Sequence, residues 1–89
     1  MELLNDVKDY LRVDGSDEDS VIGNYIDAAK ATIKQGTGKA FKEDDAQMLL
    51  VLKMLCGHWY DNRGTVGGTE VLPFTITALL IQIETREDS

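Results

Sequence analysis

Residues 46–60 read AQMLLVLKMLCGHWY, and this stretch decides the fold. Met48, Leu52, Leu55 and Trp59 fall on one stripe of a helix that turns every 3.6 residues. Leu50 and Met54 carry the apolar surface round to the other side. A helix apolar nearly all round must be covered nearly all round. Either the other helices of the chain wrap it, or a neighbouring subunit completes the cover.

Working outward, three further segments show helical spacing. Leu3, Leu4, Val7, Tyr10 and Leu11 alternate with Asp6, Lys8 and Asp9, which predicts a short amphipathic helix over 2–12. The stretch VDGSDEDS interrupts it, and Ser16 with Asp19 approximates a capping box for a second helix. That helix is expected to bury Val21, Ile22, Tyr25, Ile26, Ala29 and Ile33, to wet Asn24, Asp27, Lys30 and Lys34, and to stop at Gly36. After the central helix come Asn62, Gly64, Gly67 and Gly68, then PFTITALLIQIE, where Pro73 suits the first position of a last helix. Its β-branched residues Thr75, Ile76, Thr77, Ile81 and Ile83 make a strand the competing reading. The expectation is an all-α bundle of about four helices, with an extended loop between the last two. The domain covers 1–84, and a polar tail, 85–89, frays.

Composition narrows the function. The chain has 89 residues, enough for one domain whose small core leaves its stability modest. No apolar run reaches the roughly 18 residues of a membrane span, and MELLNDVKDY lacks the basic start of a secretory signal. Synthesis and residence in the cytoplasm, with no membrane partner, are expected. The formal net charge of -7 repels phosphate backbones, which argues against nucleic-acid binding through bulk charge. The charges are also sorted. Residues 1–19 hold seven acids and two bases, whereas 30–42 hold Lys30, Lys34, Lys39 and Lys42 and no acid. These lysines either favour the negative end of their own helix or form half of a self-complementary pair of surfaces.

The residues that could carry chemistry do not combine into a site. Cys56 and His58 stand two apart on a helix and point about 200° from each other, so they share no proton. One His and one Cys are too few for the ligand spacing of a zinc site. Asp14, Ser16 and Glu18 alternate as in a calcium loop, but Asp19 stands where the turn needs glycine and no glutamate follows at the twelfth position. GTVGGT follows a helix instead of a strand and lacks the lysine and hydroxyl pair of a phosphate loop. No catalytic residue, metal or cofactor is expected. Trp59, Tyr60 and Arg63 are residue types that dominate interfaces, although Trp59 equally suits the core and the other two an ordinary helix end.

Read in order, VKDYLRVDGSDEDSVIGNYIDAA (7–29), TGK (37–39), HWYDNR (58–63) and LPFTITALL (72–80) resemble the phage head-tail connector (adaptor) family of small HK97-type proteins. The resemblance implies a helical structural protein of the virion without catalysis or cofactor. It implies subunits that close a ring on the portal protein, contact the next tail-connector protein, and pass DNA non-specifically through the lumen. On this reading Lys30, Lys34, Lys39 and Lys42 face the acidic surface of a neighbour. Trp59 packs in the core while Tyr60 and Arg63 fix the helix end. The following segment, with Thr65, Val66, Thr69 and Glu70, projects to a neighbour until Pro73 restarts the chain. The alternative is a small acidic helical regulator that binds a host or phage protein.

Overall fold

The computed structural model describes residues 2–62 and 73–86. Four helices follow in order, α1 (Glu2–Leu11), α2 (Asp19–Thr37), α3 (Ala46–Asp61) and α4 (Phe74–Thr85), and no strand occurs among the described residues. The fold is an all-α bundle, as the periodicities predict. The extended loop expected between the last two helices falls outside the described residues.

The cover that α3 demands comes mainly from α2, which packs along it more extensively than any other pair and also touches α1 and α4. α1 and α4 each lean on α3 as well. Met48, Val51, Leu52, Leu55, Cys56 and Trp59 of α3 are buried, against Ile22, Tyr25, Ile26, Ala29 and Ile33 of α2. Leu3 and Val7 close one flank, and Ile76, Leu80 and Ile83 the other. The expected inward face of α2 is met except at Val21, which is exposed at the first turn.

α4 is a helix although half of its twelve residues are β-branched. Ile76, Leu80 and Ile83 recur at helical spacing and are its buried side chains, so burial against α2 and α3 overrides a weak local preference. Pro73 lies just before the helix, at the cap position, with its carbonyl accepting from the Ile76 and Thr77 N–H groups at 3.0 and 3.1 Å.

Several helix ends differ from expectation. α2 begins at Asp19 with Glu18 at the cap and no side-chain capping bond; Ser16 contributes only its carbonyl, 3.2 Å from the Asp19 nitrogen. The cause is Lys8, whose ammonium donates to the Gly15 carbonyl and pairs with the Asp19 carboxylate at 2.7 Å. The acid a capping box requires is thereby drawn to α1. At the other end α2 runs past Gly36 and stops at Gly38, where a φ of 74° lets the N–H close onto the Lys34 carbonyl at 2.8 Å. α1 ends at Leu11 in a Schellman turn: Val13 N–H donates to Lys8 O at 2.9 Å and Arg12 N–H to Asp9 O at 3.2 Å. This puts Arg12 at φ 60°, the left-handed region that costs a side chain about 1 kcal/mol.

Of the tail expected to fray, Thr85 and Arg86 are held in place, and residues 87–89 lie outside the described residues. Arg86 forks onto the Asp45 carboxylate, one arm at 3.3 Å, and donates to Gln47 Oε1 at 2.9 Å. Asp45 also caps α3, accepting from the Gln47 and Met48 N–H groups at 3.1 Å. From the α2–α3 connection, Lys39 Nζ donates to the Ile83 and Arg86 carbonyls, both at 2.7 Å. One clasp therefore joins the end of α2, the start of α3 and the end of α4. Thr85 lies within α4 and Arg86 is held, so the bundle extends past the expected boundary at 84.

Three measurements check these ends. Replacing Arg12 by glycine relieves the left-handed position, and urea unfolding should show a gain of roughly 0.5–1 kcal/mol. Arg86→Ala leaves the Asp45 carboxylate without its main partner and should cost roughly 1–2 kcal/mol in the same assay. The Arg86 hydrogen bond, helped by the Met48 and Gln47 N–H groups, outweighs partial burial and holds the Asp45 carboxyl below its ordinary value of 3.8. A depressed carboxyl stabilises the fold above its unfolded-state value and loses that contribution as pH falls through the folded one. The stability gap between the parent chain and Asp45→Asn, which keeps a capping side chain, should therefore narrow as pH falls from about 7 to about 3.

Candidate interaction surface

The residues that might have formed a chemical centre are dispersed or neutralised. Cys56 is buried in the core, and burial pushes its thiol up to about 12, so it stays protonated at neutral pH. His58 is half-buried, and its carbonyl accepts from Asn62 Nδ2 at 2.8 Å. In the Asp14–Glu18 stretch the Lys8 ammonium supplies the cation, bound to the Gly15 carbonyl. Among the described residues no group of three or more His, Cys, Asp or Glu side chains could hold a metal ion. Among the same residues no helix is long and apolar enough to cross a membrane.

What the fold does assemble is surface. The four lysines of 30–42 prove unequal. Lys39 is committed to the clasp, and Lys30 is half-buried with its ammonium 5.9 Å from the centre of the Phe41 ring. Lys34 and Lys42 are exposed and make no ion pair among the described residues. The expected basic patch thus reduces to two presented charges plus two with internal duties. Tyr60 is likewise tied inward: its hydroxyl donates to Glu18 Oε2 at 2.6 Å, fastening the end of α3 to the start of α2. Trp59 is in the core, at 3% exposure. Arg63, Thr65, Val66, Thr69 and Glu70 lie outside the described residues.

The cover over α3 is incomplete on the side away from α2. Leu50 is 45% exposed on α3, while Ile81 at 53% and Phe74 at 82% stand out on α4. An open groove of about 480 Å³ runs between the end of α1 and the start of α4, with Met54, Gly57 and His58 among its lining residues. Gly57 lets α1 come close, since a Cβ there would sit 3.3 Å from Tyr10 Cε2. Apolar surface of this kind on a small bundle is an ordinary ground for association.

Sequence reasoning missed the roles of Lys8, Arg12 and Arg86. Arg12 and Val13 follow a helix end as the last two residues of a Schellman turn do, so the pattern was present but carried by arginine instead of the usual glycine. Asp45 and Arg86 are 41 residues apart, and no local pattern links them.

No curated protein and no solved structure matches the chain. A family model does, over residues 1–80, and its description is phage gp6-like head-tail connector protein. The match ends within α4, so the helical bundle with its buried α2–α3 pair falls inside it, while Ile83 and Arg86 of the clasp lie beyond. The all-α fold and the match over most of the length agree. The chain belongs to the phage gp6-like head-tail connector protein family, structural proteins of the junction between head and tail of the virion.

Proposed function

We propose that copies of this chain close a ring between the portal protein and the next tail component, forming part of the channel through which DNA leaves the head and completing the head after packaging. The observation that carries this reading is the family match over residues 1–80. Physical features support it. A ring needs one surface on each subunit to meet a different surface on the next, and the chain offers an acidic N-terminal third and a segment presenting Lys34 and Lys42. Exposed Phe74, Ile81 and Leu50 provide apolar area that a lone subunit leaves wet.

The net charge of -7 suits a channel wall, because a surface that repels phosphates lets the duplex slide instead of holding it. DNA is then a passenger and not a specific ligand. Lys39, although part of the basic segment, stabilises the clasp, so exchanging it would disturb the fold as well as any contact. Lys34 and Lys42 are the informative positions.

Electron microscopy of the purified portal mixed with this protein tests the reading. A closed ring of added density on one face of the portal is the expected result. Undecorated portals beside free monomers or dimers, at concentrations well above those of assembly, would sink it in favour of a small soluble regulator.

A further inference from the structure

Arg12 stands at φ 60° in the turn that ends α1, a position where glycine or asparagine fits more easily. It is exposed, and it makes no ion pair among the described residues although exposed Asp14 and Asp17 follow in the same connection. The left-handed backbone closes the end of α1, a task glycine would perform at less cost, so what the arginine adds is its exposed guanidinium. The far end of α2 presents the matching charges. α2 has 19 residues, so its ends are about 28 Å apart. At its C-terminal end the connection to α3 carries Lys42, Glu43 and Asp44, all exposed and none in an ion pair among the described residues. Each end thus offers both signs, so the cation of one end can meet the acids of the other.

We propose that neighbouring copies meet head to tail along α2, with the Arg12 guanidinium of one copy bound by Glu43 and Asp44 of the next, and Asp14 and Asp17 of the first facing Lys42 of the second. The inference rests on the ring reading and specifies its contact. An arginine presents a planar fork that carboxylates grip with two bonds, so a fixed arginine sets the angle between subunits as well as their attraction. The two ends are different surfaces, which is what a contact that closes into a ring requires.

Two variants separate contact from fold. Arg12→Gly removes the fork and should raise monomer stability, while Arg12→Glu reverses the charge; circular dichroism confirms that both are folded. On purified portal viewed by electron microscopy, each should lower ring occupancy at matched concentration about tenfold or more. Adding Glu43→Lys and Asp44→Lys to Arg12→Glu should return occupancy to within about threefold of the parent chain. Rings of both Arg12 variants at parent occupancy would overturn the contact while leaving the ring reading intact. Loss of rings without recovery in the reciprocal variant would overturn the pairing with Glu43 and Asp44. If the parent chain itself forms no ring, the ring reading fails and this contact fails with it.

Discussion

The bundle is organised by the need to keep α3 out of water. Its buried side chains form a central stripe, Met48–Leu52–Leu55–Trp59, flanked by Val51 on one side and Cys56 on the other, an arc too wide for one partner helix to cover. α2 takes the larger share because it is the longest helix and runs beside α3 along its length, while α1 and α4 fill the flanks. What remains uncovered, around Leu50 and Met54, is the part of the same apolar surface that none of the four described helices hides. Burial inside the monomer and association between monomers are thus two portions of one hydrophobic demand.

Polar groups then fix how the helices sit on that core. At one end Lys8 ties α1 to the start of α2, and Tyr60 ties the end of α3 to Glu18. At the other, Lys39, Asp45 and Arg86 lock the last turn of α4 to the α2–α3 connection. Hydrophobic contact alone would let helices slide by a turn with little loss, since it is not directional. Hydrogen bonds with fixed geometry remove that freedom. The clasp also brings a donor to the Ile83 carbonyl in the last turn of α4 and to the Arg86 carbonyl just beyond it.

The sequence made the helices legible because their apolar residues recur at the helical period, and burial follows that period at Ile22, Ile26, Ala29 and Ile33 as directly as any pattern can show. It was less informative at the ends. The Ser16 cap and the Gly36 stop were locally reasonable, yet Lys8 claimed Asp19 and Gly38 supplied the left-handed residue two positions later. The first miss came from a partner in another element, which local spacing cannot show, whereas at the second two nearby glycines competed and the later one adopts the left-handed turn. The same limit applied to surface charge. Four lysines in thirteen residues read as a patch, but Lys39 faces α4 and Lys30 lies by Phe41, and only the fold could tell them from Lys34 and Lys42.

The single cysteine carries one more consequence. Cys56 is wholly enclosed and its thiol titrates only at about 12, so neither the thiolate nor access exists for alkylation or oxidation in the folded state. A second cysteine engineered on an exposed helix position is therefore the one thiol a maleimide dye will find, and the native residue can stay in place. When the bundle opens, Cys56 becomes reactive in turn, which makes it a built-in reporter of unfolding that needs no added probe.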